Sequence, residues 1–130
     1  IPILPIGFSA LDHKIHVEFG TALKEIVMNT KKRVAVIASG DLSHALTSEA
    51  PAGFNARGQN FDEAVQSLLA TRNTLGLINL EDEFVKAAAQ CGLRSILILM
   101  GVVREMDYRF ERLAYEAPFG VGYLTANLVL

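Results

Sequence analysis

The feature that most limits what this chain can fold into is a short run, Arg33–Ala38 (RVAVIA), that is apolar and largely β-branched and opens directly into Ser39-Gly40-Asp41. A strand with one face in water alternates apolar and polar residues. A run without alternation belongs to a strand covered on both faces, and that demands helices layered against a sheet. Of the 130 residues, 51% are hydrophobic and 20% charged, enough apolar material for one packed core and too little charge for a disordered chain.

The rest of the chain supplies the other elements of such an architecture. Ile1–Ile6 is apolar and β-prone, with Pro2 and Pro5 tolerable only at a strand end or edge. Residues 8–16 read as a loop or an irregular helix start. Phe19, Leu23, Ile26 and Val27 fall at helical spacing and predict a helix over Phe19–Met28, with Lys31-Lys32-Arg33 at its negative end. Residues 47–60, with Pro51, Gly53 and Gly58, read as a long loop of the kind that tends to carry function. Asn60 then suits the N-cap of a helix over Phe61–Thr71, with Glu63 completing a capping box. A short helix follows from about Leu80, its acidic residues Glu81, Asp82 and Glu83 at the positive end, closing at Cys91-Gly92. Leu93–Val103 fits a buried helix or a buried strand equally well. Arg109–Glu116 and Gly122–Leu130 read as two antiparallel strands joined by Ala117-Pro118-Phe119-Gly120. The expected fold is a single α/β domain: a layered sandwich with a mixed, largely parallel sheet that ends in an antiparallel strand pair.

Composition also excludes some partners. Twelve Lys+Arg against fourteen Asp+Glu leave a net charge of −2, and the one basic cluster, at 31–33, is no footprint for nucleic acid. The longest apolar stretch, Ser95–Val103, is about half of the roughly 20 residues that a membrane-spanning helix requires. Ile1–Pro5 has neither the basic flank nor the small-residue site of a signal peptide, and reads as a strand entered midway. A single cysteine, Cys91, precludes an internal disulfide and points to a reducing compartment, the cytoplasm.

Chemistry concentrates where the Arg33–Ala38 run ends. Ligand sites in α/β folds form at the carboxyl ends of such strands. Here the sequence places Asp41 and His44 three residues apart, so that a carboxylate can orient an imidazole or hold it charged. The structural alternative is that Asp41 caps a helix and His44 is an ordinary polar residue. Cys91 sits in a small-residue segment, AAAQCG, where a cysteine can be simply a small hydrophobe. His13 and His16 form an H-x-x-H pair without a further ligand nearby and read as a solvated loop pair. Gly120 and Gly122 flank Val121 at a strand start, which requires either a close approach to the cleft lined by Phe119 or Tyr123, or a bulge with Tyr123 in the core. Both require at least one glycine in a conformation costly for other residues.

The motifs ASGDLSH, APAGF, GQNFD, CGLRSILILMG and YEAPFGVGYLTA occur in this order along essentially the whole chain. Together they resemble the C-terminal half of the class III extradiol ring-cleavage dioxygenase superfamily, in its Memo-like branch. The resemblance implies an oxidoreductase domain with a mononuclear non-haem metal, Fe(II) or another divalent ion, and a small catechol-like aromatic substrate. It places His44 at the acid/base position, with Asp41 as its companion. It places Cys91, between Gln90 and Gly92, at the third metal-ligand position, where ring-cleaving members use a carboxylate and Memo uses a cysteine. A thiolate there makes a softer site than iron-dependent ring cleavage uses. The first two histidine ligands of the family lie in an N-terminal half that these residues do not include, and neither His13 nor His16 matches them. The resemblance thus implies association with that half, or a homo-oligomer. It leaves two functions open: a ring-cleaving enzyme, or a non-catalytic, metal- or redox-linked partner protein.

Overall fold

The computed structural model describes residues 1–130. Five helices precede a β-hairpin: α1 (His13–Asn29), α2 (Arg57–Ala70), α3 (Thr74–Ile78), α4 (Asp82–Ala88), α5 (Leu93–Val102), β1 (Arg109–Glu116) and β2 (Tyr123–Val129). The core is made mainly by one stripe from each helix. Phe61, Val65 and Leu69 of α2 meet Leu77 of α3, Ala88 of α4 and Leu93, Leu97 and Met100 of α5, all buried. Phe61 also meets Phe84 edge-on, with ring centroids 5.8 Å apart. Helices α1 and α5 make the closest contact. A side chain on Gly20 would overlap the Ile98 carbonyl, and one on Gly101 the Val17 carbonyl, so the absence of Cβ at both lets the two backbones touch.

The antiparallel pair is where the sequence places it. β1 and β2 pair from Arg109↔Val129 to Glu116↔Tyr123, with a register shift between Arg112 and Ala114. Phe110, Tyr115, Leu124 and Leu128 turn one side of the hairpin onto the core. This is the only hydrogen-bonded sheet. The mixed, largely parallel sheet expected from the sequence is absent. Arg33–Ala38, expected as a strand buried on both faces, is unpaired and exposed, with Val34 at 48% and Ile37 at 84% of their free area. Ile1–Ile6 likewise has no partner. Main-chain pairing is non-local, and no strand within these residues pairs with either segment.

The helices differ from the periodicity in instructive ways. α1 starts six residues earlier than expected, at His13. α2 starts at Arg57, three residues before the expected Asn60 cap. Asn55, not Asn60, accepts from the first turn, at Arg57 N (3.0 Å), and Glu63 pairs with Gln59 instead of closing a capping box. α4 ends at Ala88, before Cys91-Gly92, and its C-cap residue Ala89 takes up the left-handed conformation usually left to glycine (φ 51°). α3, too short to show a period, is capped by Asn73, whose side chain accepts from Gly76 N at 2.8 Å. The ambiguous Leu93–Val103 run is helical. No single helix is long and apolar enough to cross a membrane.

Candidate functional site

The segment 41–46 has no regular secondary structure, so its shape comes from what it is tied to. Leu42 N and Leu46 N donate to Gly122 O (2.9 Å) and Gly120 O (3.1 Å), and Gly122 N returns a bond to Ser43 O (2.8 Å). His44 N donates to Ala88 O at the end of α4 (2.8 Å). The loop is therefore stitched between the turn before β2 and the last turn of α4. Gly120 occupies the left-handed region (φ 72°), where a side chain would also meet Thr47 and Ala50.

Beneath the loop lies a carboxylate. Asp62, fully buried on α2, accepts from Ser43 N through Oδ1 and from the Tyr115 hydroxyl through Oδ2, each at 2.7 Å. Gly122 has no room for a side chain because Asp62 Oδ2 stands there. Burial pushes the Asp62 carboxyl above the usual carboxylate range, against the opposing pull of the Tyr115 and Ser43 hydrogen bonds and of nearby His44. Burial and the facing carboxylate likewise push the Tyr115 phenol up. Asp62 escapes motif reading, yet a signal exists. It shares a helix face with Val65 and Leu69, and an acid on an apolar stripe needs buried partners.

Above this support, three side chains converge. His44 Nε2 lies 3.5 Å from Asp41 Oδ2 and 3.8 Å from Cys91 Sγ. The Asp41 amide donates to Cys91 Sγ at 3.2 Å. The main chains are fastened as well: Cys91 N and Gly92 N both donate to Asp41 O, at 3.3 and 2.8 Å. The 91–92 turn thus docks on the 40–41 turn immediately before α5. The His44 side chain retains 24% and that of Asp41 41% of their free areas, so the group opens to solvent on one side.

The structure brings together Asp41, His44 and Cys91, although no helical turn joins the first two; their approach comes from the loop, and Asp41 caps no helix. Cys91 is exposed rather than a packed small hydrophobe. His13 and His16 stay apart from this group. They lie on α1 and not in a solvated loop: His13 Nδ1 faces Ile78 O at 3.2 Å, while His16 is buried against Asp12 O (2.9 Å) and Ser9 O (3.1 Å). Gln90 caps α5 by accepting from Leu93 N at 2.7 Å. Tyr123 is not core, with 40% of its area exposed, and the irregularity expected near Gly120–Gly122 as a bulge sits instead on β1, between Arg112 and Ala114.

The donor set passes a chemical test for a metal. One carboxylate oxygen, one ring nitrogen and one sulfur lie within 4.8 Å of one another. Mixed O, N and S donors at that spacing suit a divalent ion of borderline or soft character better than Mg or Ca. The family model for the catalytic LigB subunit of aromatic ring-opening dioxygenase matches residues 1–126. Protein CA_C1420 of Clostridium acetobutylicum is 35% identical over 121 residues, 93% of this chain and 26% of that protein. The chain spans about a quarter of the length of this curated relative. Because the family match runs unbroken from the first extended residues through the loop of His44 and the turn of Cys91 into β2, the chain belongs to the LigB family of aromatic ring-opening dioxygenase subunits.

Proposed function

We propose that Asp41, His44 and Cys91 form one wall of a metal-dependent oxidoreductase site for a small catechol-like aromatic, with the remaining metal ligands supplied by polypeptide outside residues 1–130. The observation that carries the reading is the shared nitrogen: His44 Nε2 stands between the Asp41 carboxylate at 3.5 Å and Cys91 Sγ at 3.8 Å. In this arrangement His44 takes a proton from a substrate hydroxyl. Asp41 stabilises the resulting imidazolium, and the loop bonds to Ala88 and Gly122 keep the ring in place. Cys91 would hold the metal through its sulfur, which leaves Nε2 of His44 free to carry the proton. A bound divalent metal supplies Lewis acidity and, where it is iron, electron exchange with dioxygen. A reducing compartment such as the cytoplasm keeps the Cys91 thiol available for this role.

A second reading is favoured by one residue. Ring-cleaving members of the superfamily carry a carboxylate where this chain has Cys91, and a sulfur donor shifts preference away from oxygen-rich iron sites. On that reading the domain is a Memo-like, metal- or redox-linked partner protein that performs no ring opening. Cobalt(II) titration tests the common part. The chain should develop a thiolate-to-cobalt charge-transfer band that disappears in Cys91→Ser and persists in His44→Gln. A spectrum unchanged by Cys91→Ser would overturn the assignment of the sulfur. Within the complete polypeptide, dioxygen uptake with catechol separates the two readings: uptake abolished by His44→Gln supports the enzyme, and none in wild type supports the partner protein. Elemental analysis of residues 1–130 after gentle purification should find no stoichiometric metal, since three donors open to solvent make an incomplete site.

A further inference from the structure

All the amides from Leu42 to Leu46 donate a hydrogen bond. Leu42 N, His44 N and Leu46 N go to the carbonyls of Gly122, Ala88 and Gly120, which any residue would supply. The other two go to side chains: Ser43 N to Asp62 Oδ1 at 2.7 Å, and Ala45 N to Ser43 Oγ at 3.1 Å. The part of the loop's shape that depends on residue type therefore converges on Ser43. Its side chain is fully buried, where a hydroxyl is unfavourable unless bonded. Ser43 Oγ is bonded in both senses, accepting from Ala45 N and donating to Ala88 O at 3.1 Å. Space is reserved for it, since a side chain on Gly58 would strike this oxygen. Ala88 O accepts from His44 N as well, at 2.8 Å, and Ala88 closes α4 three residues before Cys91. One carbonyl thus ties the imidazole's own main chain to the segment that leads to the thiol.

We propose that Ser43 is a positioning residue for the site: with Asp62 holding its amide, its hydroxyl sets the separation of His44 Nε2 from Cys91 Sγ, 3.8 Å in this structure. The hydroxyl is buried beneath the loop and acts through His44 rather than on a substrate. An alanine at position 43 would keep the amide bond to Asp62. It would leave Ala45 N without its acceptor and Ala88 O with His44 N alone. The bonds to Gly122 and Gly120 hold the ends of the loop and not its centre. The centre could then turn about the His44–Ala88 bond and carry the ring away from the sulfur. The functional consequence rests on the reading of His44 as proton carrier beside a metal held by Cys91. A misplacement of about 1 Å at a reacting group costs as much as ~100-fold in rate, while contacts that bind substrate uniformly are unaffected. The separation itself is a property of the fold and holds whether or not the domain turns over a substrate.

Two measurements test it. The first uses the metal-free, isotope-labelled chain and reads the nuclear Overhauser contact between the His44 ring protons and the Cys91 β-protons. That contact should be present in wild type and in Asp62→Asn, which keeps an acceptor for Ser43 N, and lost in Ser43→Ala. Ser43→Cys fills similar space with a group that bonds weakly; it should lose the contact too, and is read where Ser43→Ala is too unstable. Val65→Ala loosens the core on the same helix as Asp62 without removing a hydrogen bond, and should keep the contact. A full-strength contact in Ser43→Ala or Ser43→Cys would overturn the proposal. So would its loss in Val65→Ala, because any loosening of the core would then do the same. The second measurement is dioxygen uptake with catechol by the complete polypeptide. Ser43→Ala should lower kcat by ~10- to 100-fold and leave KM for catechol within about twofold of wild type. A raised KM with kcat unchanged would assign Ser43 to substrate binding and overturn the positioning role. A wild type without uptake would sink the enzyme reading alone, and the ring-to-thiol contact would then decide the role of Ser43 by itself.

Discussion

Replacing Asp62 by alanine should destabilise the protein by about 2–3 kcal/mol, and the structure shows where that figure comes from. The carboxylate is fully buried and satisfies two donors at 2.7 Å, Ser43 N–H and the Tyr115 hydroxyl. Its loss leaves the buried Ser43 amide without an acceptor, worth about 1–3 kcal/mol, and removes a bond from Tyr115 worth about 1 kcal/mol, because the half-buried phenol can turn towards water. Relief of a carboxyl that burial disfavours returns part of this. Asp62→Asn keeps the acceptor for Ser43 and should cost roughly 1 kcal/mol or less. The pH dependence is a second reading of the same residue. Because the folded carboxyl titrates above its ordinary value, folding binds its proton more tightly than unfolding does. Its contribution is therefore full below the unfolded carboxylate value, is lost as pH rises to the raised folded value, and is constant above it. Asp62→Asn should abolish that slope. Urea denaturation followed by far-ultraviolet dichroism measures both, with the midpoint of Asp62→Ala lowered by about 1–2 M. A midpoint for Asp62→Ala within about 0.2 M of wild type, or a slope that survives in Asp62→Asn, would refute the claim that this carboxylate anchors the His44 loop.

Other substitutions test other parts of the fold. Gly120→Ala places a side chain at positive φ against Thr47 and Ala50, and thermal melting should show a loss of about 1–3 kcal/mol. Phe61→Ala empties the centre of the helical core and should cost about 3–5 kcal/mol by the same denaturation assay. Asp107→Asn removes the exposed ion pair with Arg72 and should shift stability by less than about 0.5 kcal/mol, a control that separates surface charge from buried support.

What could be read in advance divides along the range of the interaction. β1 and β2 were legible because alternation, a Pro-Phe-Gly turn and adjacency in sequence all act locally. The C-terminal boundary of α4 was not, since Ala89 adopts a left-handed conformation that residue type gives no reason to expect. The Asn60 cap failed through competition with Asn55, which holds the same first turn from further upstream. The run Arg33–Ala38 shows why burial pattern and pairing are separate matters: its chemistry specifies coverage on both faces, but no strand in these residues pairs with it and Ile37 stays 84% exposed. Asp41 and His44 could be paired from their spacing. Their meeting with Cys91, 50 residues from Asp41, depends on the docking of two turns, and only the family resemblance placed them together. Asp62 shows the reverse case, a buried acid visible on the apolar face of α2 but carrying no motif.

The docking of the 40–41 turn on the 91–92 turn leaves one position of the site free to diversify. A side chain on Gly40 would run into the Gly92 main chain, and one on Gly92 into Asp41 O, so the two turns meet backbone to backbone. Cys91 N and Gly92 N fasten to Asp41 O, and none of these three atoms belongs to a side chain. Position 91 is therefore a socket placed mainly by main-chain bonds, with the Asp41 amide to Cys91 Sγ as the side chain's own tie. Exchanging its sulfur for a carboxylate or an imidazole would alter the hardness of the donor while leaving the mounting intact, so a change at this one residue could retune metal preference without a new fold or a rebuilt loop.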